Sequence, residues 1–113
     1  MRLPGADRAV IESSKVRDYL LSQAHPVGRF KAAFFRALGY SDVAWESLAE
    51  DLRRHALQNE AILTDSTPYG HKYEVRGRLR GPQGRTVVLV TVWIVLNGED
   101  FPRLVTAFPG ARS

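Results

Sequence analysis

The stretch KYEVRGRLRGPQGRTVVLVTVWIVL, residues 72–96, decides the fold class. Its first part alternates apolar with polar residues, which is the two-fold period of a half-buried β-strand with Tyr73, Val75 and Leu79 on one face. Its second part, Thr86 to Leu96, is apolar on both faces and is typical of a central strand that helices cover on one side. The Gly-Pro-Gln-Gly sequence between them predicts a hairpin loop, so the two strands are antiparallel.

The residues upstream of this hairpin carry a helical period instead. We predict helices from Ser13 or Ser14 to His25-Pro26, from Arg29 to Leu38, and from about Val43 to Leu57. The first helix ends there because a proline disfavours the helical conformation of the residue before it. The predicted buried stripe of the second helix consists of Phe30, Ala33, Phe34, Ala37 and Leu38.

Two shorter strands complete the predicted sheet. Ala61 to Leu63 reads as a short edge strand, and Arg103 to Phe108 reads as the last strand. In a regular strand Arg103 and Thr106 would point to opposite faces. The expected fold is therefore α+β: three N-terminal helices followed by a three- to four-stranded antiparallel meander sheet. We expect a single domain over residues 1–113, with an arm at 1–12, a helical part at 13–58 and a sheet part at 59–110.

The composition limits the kind of protein. A chain of 113 residues, 44% of them hydrophobic, is long enough for one core and too short for two. The absence of cysteine excludes disulfides, thiolate metal sites and a cysteine nucleophile. No apolar run has the length of a membrane span, and the first residues lack a signal-peptide core. We therefore expect a soluble cytoplasmic protein that does not act at a membrane.

Arginine dominates the basic residues. The chain has 16 Lys and Arg against 12 Asp and Glu, a net charge of +4, and thirteen of the sixteen are arginines. An arginine fork pairs with phosphate through two hydrogen bonds, so this bias favours RNA or another anionic partner. The alternative is a basic surface that only keeps the protein soluble.

The segment HPVGRFKAAFF, residues 25–35, is the first candidate site. It places His25 in a bend before a helix whose first turns carry Arg29 and Lys31. A histidine can transfer protons near neutral pH, and a helix N-terminus with two cations suits a phosphate. The alternative is a plain interhelical turn with solvated cations.

The basic strand is the second candidate site. Its polar face carries Lys72, Arg76, Arg78 and Arg80, interrupted only by Glu74. Alternate residues of a strand lie about 7 Å apart, a distance close to that between backbone phosphates. Tyr69 and His71 flank Gly70 before this strand and could supply a stacking or a proton-transfer group. The alternative is a strand face that arginine makes soluble.

Metal and cofactor chemistry is not expected. His25, His55 and His71 stand thirty and sixteen residues apart, without the close pairing of a zinc site. No Gly-rich phosphate loop and no nucleophile elbow occurs. The remaining His, Arg, Lys, Tyr and Thr side chains are those of a metal-free ribonuclease, in which a base activates the 2′-hydroxyl and cations stabilise the phosphorane.

Several segments resemble a known family in order along the chain. LPGADRAVI, KVRDYLLSQAHPVGRFKAAFFRALGY, YGHKYEVRGRLRGPQGR and VTVWIVLNGEDFPRLVTAFPG resemble an uncharacterised bacterial domain family. Members of that family occur alone and at the C-terminal ends of polymorphic or contact-dependent toxins and of phage-head-like proteins. The order of helices and sheet is also similar to that of the barnase, EndoU, colicin and RelE group of toxin nucleases. The resemblance implies His25, Lys31 and Thr106 as the matching polar positions.

We therefore expect a metal-independent toxin-type endoribonuclease that acts on tRNA or another structured RNA. His25 would be the general acid or base and Lys31 would hold the phosphate, with Thr106 beside them and His71 as the rival base. Six side chains would bind RNA: Arg29, Lys72, Arg76, Arg78, Arg103 and Tyr69. A small antitoxin or immunity protein would be the protein partner. The alternatives are a non-catalytic interaction module and a nucleic-acid-binding domain that does not cleave.

Overall fold

The helices precede the strands along the chain. The computed structural model describes residues 1–22, 24 and 29–110, with the backbone alone at 29 and 30. A 3-10 turn (Ala6–Arg8) comes first, α1 (Ser13–Lys15) continues into a π-helix (Val16–Leu20), and α2 (Arg29–Ala37) and α3 (Trp45–Gln58) follow. The strands are β1 (Ala61–Thr67), β2 (Gly70–Arg80), β3 (Thr86–Leu96) and β4 (Arg103–Pro109). None of the helices in these described ranges is long and apolar enough to cross a membrane.

The four strands form one antiparallel sheet in the order β1-β2-β3-β4. The α+β prediction is thus confirmed, with three helices before a four-stranded meander. The sheet has two unlike faces because side chains alternate along each strand. The helix-side face carries the buried residues Tyr73, Val75, Leu79, Leu89, Thr91 and Trp93. The opposite face, here called the basic face, carries Lys72, Arg76, Arg78 and Arg80 on β2 and valines and Ile94 on β3.

A buried polar network joins α3 to the helix-side face. His55 is 2% exposed, and its Nε2 lies 3.2 Å from the carbonyl oxygen of Gly77 and 3.1 Å from that of Leu89. Its Nδ1 lies 3.3 Å from the hydroxyl of Thr91, which accepts a hydrogen bond of 2.9 Å from the Trp93 indole. Because both carbonyls can only accept, Nε2 carries the hydrogen and Nδ1 accepts from Thr91. Burial lowers the pKa of His55, so the ring is neutral.

The buried stripe of α2 differs from the predicted one. Ala32, Phe35 and Leu38 are buried, whereas Ala33 and Ala37 are exposed. The sequence allows both interpretations, because two adjacent phenylalanines give an apolar helical period in either phase. In the structure, the side of α2 that faces the core is the one that carries Phe35, whose ring packs edge-on against Tyr40 with centroids 6.4 Å apart. The prediction for Ala33 and Ala37 was therefore wrong, and Phe34 is half-buried instead of buried.

Three element boundaries also differ from the prediction. The first helical segment ends at Leu20, well before His25-Pro26, in a π-helical turn in which the amide of Leu21 donates to the carbonyl oxygen of Val16. β1 extends beyond its predicted end at Leu63 to Thr67, through an irregularity between Leu63 and Asp65. The third helix begins at Trp45 and not at Val43, because the side-chain oxygen of Ser41 accepts from the backbone of Ala44 and forms a separate turn. None of these differences changes the strand order.

Candidate functional site

A β-bulge brings Thr106 onto the basic face. Val92 pairs with Thr106, but the next residue, Trp93, pairs with Leu104, so β4 holds one extra residue at Val105. The extra residue shifts the alternation of β4 by one position. Thr106 and Arg103 consequently lie on the same face of the sheet, and the expectation that they point to opposite faces was wrong. The sequence of β4 contains no residue pattern that would have predicted this bulge.

Tyr19 meets Thr106 from the first helical segment. The two hydroxyl oxygens are 3.4 Å apart, although 87 positions separate the residues in the chain. Tyr19 lies in the π-helix between the fully buried Val16 and Leu20. Since β4 is an edge strand and Thr106 lies on the basic face, this contact shows that the Tyr19 phenol reaches that face at the edge of the sheet. π-Helical turns are frequent at functional sites because they redirect one side chain.

Two lysines flank the same phenol. The ammonium groups of Lys31, from α2, and Lys15, from α1, lie 5.7 Å and 5.9 Å from the centre of the Tyr19 ring. The hydrogen bond with Thr106 and the two positive charges hold the pKa of Tyr19 below its usual value, although partial burial acts in the opposite direction. Lys31, Tyr19 and Thr106, here called the Lys31 cluster, therefore combine a cation with two hydroxyl groups.

The Lys31 cluster borders an open groove. A groove of about 600 Å³ is lined by Ser14, Lys15, Asp18, Tyr19, Val105 and Thr106. A second groove of about 480 Å³ lies further along β4 and is lined by Phe34, Arg78, Val88 and Pro109, among others. Thr106 and Pro109 are three residues apart on one strand, which separates them by about 10 Å. The two grooves are thus neighbours along the same edge of the sheet.

The arginines of the basic face adjoin these grooves. Thr106 pairs with Val92, which pairs with Glu74 on β2, so the cluster and β2 are two strands or about 10 Å apart. Arg76, the next residue of β2 on this face, reaches back toward β4: a Cβ placed on Gly110 would be 2.8 Å from its Nη1. Arg78 lines the second groove. The structure therefore brings Lys31, Thr106, Arg76 and Arg78 to one side of the sheet.

Arg103 lies on this side but is engaged by acidic residues. Its Nη2 is 2.9 Å from Glu99 and its Nη1 is 3.6 Å from Glu12, and the guanidinium lies 5.2 Å from the centre of the Phe101 ring. The hydrogen bond from Arg103 lowers the pKa of Glu99. The charge of Arg103 is thus compensated locally, which makes it less suited to bind RNA than Arg76 and Arg78.

The other predicted residues lie elsewhere. His71 belongs to the residues of β2 that point to the helix-side face, but its side chain is exposed. Its Nδ1 lies 2.9 Å from the hydroxyl oxygen of Ser66. Tyr69 is 76% exposed in the β1–β2 turn, and Lys72 is half-buried on the basic face near that end. His71 is therefore not in the Lys31 cluster. His25 and the side chain of Arg29 lie outside the described residues.

The residue that sequence reasoning missed is Tyr19. Its spacing, three residues after Val16 and one before Leu20, predicts a place in the buried stripe of an α-helix. An α-helix would keep it in that stripe, but the π-helix changes the angle between successive side chains. No feature of the sequence KVRDYLL predicts a π-helix in place of an α-helix.

The fold and the cluster define an α+β domain with a hydroxyl-rich groove beside an edge strand, where Lys15 and Lys31 flank the Tyr19 ring. The chain belongs to the family described as a domain of unknown function (DUF6883), whose model matches residues 2–111. A chain of the contact-dependent growth inhibition toxin–immunity protein complex from Klebsiella pneumoniae 342 has a similar structure, with a TM-score of 0.72 and 22% sequence identity, over 89% of this chain and 99% of that chain. At that identity the likeness shows a shared fold. A comparison with curated proteins gave no match.

Proposed function

We propose that this protein is a metal-independent endoribonuclease of the toxin type, acting on tRNA or another structured RNA. The observation that carries the proposal is the Lys31 cluster on the same side of the sheet as Arg76 and Arg78. A cation and a hydroxyl beside a groove suit a scissile phosphate, and exposed arginines one or two strands away suit the flanking backbone.

The reaction needs few groups. A base takes the proton of the 2′-hydroxyl, and the 2′-oxygen attacks phosphorus while the bond to the 5′-oxygen breaks. The products are a 2′,3′-cyclic phosphate and a 5′-hydroxyl end. Lys31 compensates the charge of the phosphorane, Thr106 donates a hydrogen bond to one of its oxygens, and His25 transfers a proton. His71, which is exposed and lies outside the cluster, is the rival base.

A cognate protein partner is part of the proposal. The similar Klebsiella chain comes from a complex of a toxin with an immunity protein. A nuclease with this role requires a partner that blocks its active site in the cell that makes it. We expect an acidic partner that covers Arg76, Arg78 and the grooves, because opposite charges favour both association and specificity.

Incubation of the purified protein with total tRNA tests this function. Cleavage should persist in chelator and should fall about 100-fold or more in Lys31→Met, which leaves the phosphorane charge uncompensated. Thr106→Val, which removes only a hydroxyl, should give a smaller loss. Thr64→Val, on β1 and exposed, and Arg2→Met, an exposed cation near the N-terminus, are the matched controls and should keep full activity.

His25→Ala and His71→Ala decide between the two bases in the same assay. Loss of cleavage in His25→Ala with retention in His71→Ala is the expected result. Binding of RNA without cleavage by the wild-type protein would instead support a nucleic-acid-binding domain. Neither binding nor cleavage would support a non-catalytic interaction module.

A further inference from the structure

Tyr19 lies in the groove, but the reaction proposed for Lys31, Thr106 and His25 gives it no role. Its side chain lines the groove of about 600 Å³ together with Thr106. The π-helix places it there, while its neighbours Val16 and Leu20 are wholly buried. A tyrosine that served only the core would have its hydroxyl turned away from the groove, whereas this one meets a second hydroxyl there.

The charges around Tyr19 favour loss of its proton. Among the described residues that face it, Lys15 and Lys31 are cationic, Asp18 is the acidic one in the groove lining, and Thr106 is neutral. Asp18 forms an ion pair of 3.1 Å with Arg17, which compensates much of its charge. The hydrogen bond with Thr106 and the two ammonium groups therefore stabilise a phenolate. Thr106 can donate to that phenolate.

We propose that Tyr19 is the general acid of the cleavage reaction. This inference rests on the proposed function and names the group that completes it. As the bond between phosphorus and the 5′-oxygen breaks, the Tyr19 hydroxyl gives its proton to that oxygen, which leaves as a 5′-hydroxyl. The phenolate that remains is held by Lys31, Lys15 and Thr106. His25 takes the complementary role of the base and holds the proton of the 2′-hydroxyl. After the product leaves, solvent carries a proton from His25 back to the Tyr19 phenolate, which restores both groups.

Two substrates with different leaving groups test this role. One is a dinucleoside phosphate, whose alkoxide leaving group needs a proton, and the other is a nucleoside 3′-(4-nitrophenyl phosphate), whose nitrophenolate leaves without one. Tyr19→Phe should lose about 100-fold or more in kcat/KM on the first substrate, the usual contribution of a general acid. It should lose little on the second. Lys31→Met should lose activity on both, because phosphorane charge develops with either substrate.

The pH profile is the second measurement. A general acid must be protonated, so kcat/KM of the wild-type protein on the dinucleoside phosphate should decline at high pH as Tyr19 ionises. This decline should be absent in Tyr19→Phe. Tyr40→Phe is the control: Tyr40 lies away from the groove and donates to Asp51 at 2.6 Å. Removal of the Tyr40 hydroxyl should leave the ratio of kcat/KM on the two substrates unchanged.

Each alternative outcome overturns the inference in a distinct way. Equal losses on both substrates in Tyr19→Phe would show that Tyr19 positions the phosphate and donates no proton to the leaving group. Full activity of Tyr19→Phe on both, beside an inactive Lys31→Met, would remove Tyr19 from the reaction and keep the ribonuclease. A wild-type protein that cleaves neither substrate nor tRNA would overturn the ribonuclease itself, and the role of Tyr19 with it.

Discussion

The two histidine side chains that the structure describes have opposite environments. His55 is enclosed between α3 and the sheet, and each of its ring nitrogens lies against a hydrogen-bonding group. His71 is exposed and contacts Ser66. A buried neutral ring with fixed partners cannot exchange protons with a substrate, so His55 is a structural residue. Its substitution should change stability and not the chemistry of the groove.

The first prediction concerns the stability of the His55 network. His55→Ala should lower the free energy of unfolding by about 2 to 5 kcal/mol, because it leaves a cavity and removes the partner of two carbonyl groups and Thr91. Chemical denaturation followed by the fluorescence of Trp45 and Trp93 measures this change. His71→Ala is the matched control and should alter the free energy of unfolding by less than about 0.5 kcal/mol. Equal effects of the two substitutions would contradict the assignment.

The second prediction is the pH dependence that His55 gives to folding. Its pKa is lowered in the folded protein, whereas the unfolded chain binds a proton with a pKa of about 6.5. The unfolded state therefore takes up more protons as the pH falls, and the stabilising effect of neutral His55 is complete only above that value. The free energy of unfolding should decrease below about pH 6.5. In His55→Gln this part of the decrease should vanish, and in His71→Gln it should persist.

At the scale of elements, α2 connects the groove to the β2–β3 hairpin. Its first turns carry Lys31, and its C-terminal end packs on the hairpin, where a Cβ on Gly81 would be 2.6 Å from the carbonyl oxygen of Leu38. The close approach of Gly81 thus fixes the end of α2. Because a helix moves as a rigid body, a displacement of this end also moves Lys31.

The third prediction follows from that contact. Gly81→Ala should lower the free energy of unfolding by about 1 to 3 kcal/mol, the usual range for overpacking, since backbone must move to admit the methyl group. It should also reduce tRNA cleavage at temperatures at which the protein stays folded. Gly98→Ala is the comparison, because a Cβ there meets no described atom within 4 Å, although its positive φ of 84° adds local strain. Unchanged cleavage in folded Gly81→Ala would show that α2 is positioned by other contacts.

The extent to which the sequence predicts these elements depends on how local their causes are. The strict alternation of β2 and the helical period of α3 are properties of neighbouring residues, and both elements were predicted correctly. The phase of α2 depends on whether Phe34 or Phe35 fits the space beside Tyr40, which is a tertiary matter. Lys31 and Thr106 were predicted as site residues because they match polar positions in the proteins that the sequence resembles. Tyr19 was not, because its position depends on a π-helix and on a bulge in a distant strand.

Over the whole molecule, ion pairs divide the arginines into two groups. Arg8, Arg17, Arg53, Arg54 and Arg103 each lie within 3.1 Å of an acidic side chain. Within the part of the chain that the structure describes, Arg76, Arg78 and Arg80 form no such pair. These three arginines therefore add their charges on one face of β2, although the net charge of the chain is only +4. A modest overall charge can consequently give a strong local field.

The fourth prediction uses this division. RNA affinity should fall steeply with salt, because phosphates that are neutralised by arginine release counterions. Arg76→Ala and Arg78→Ala should each weaken binding and each reduce the slope of log K against log salt by about 1. Arg103→Ala should change the slope much less, since Glu99 and Glu12 already compensate its charge. Filter binding to tRNA between low and moderate salt measures all three slopes. An equal effect of Arg103→Ala would show that RNA displaces its acidic partners.

The bulge at Val105 separates the face on which Thr106 lies from the residue count of β4. Leu104, Thr106 and Ala107 pair with Trp93, Val92 and Thr91, and the ladder passes over Val105. Deleting Val105 would leave these three pairs in place, so both core residues and Thr106 would keep their present faces. A regular strand that retained Val105 would instead turn Thr106 toward the core and Ala107 away from it. Related chains should therefore vary freely in residue type at this position, and can lack the residue altogether, without moving the Thr106 hydroxyl out of the groove.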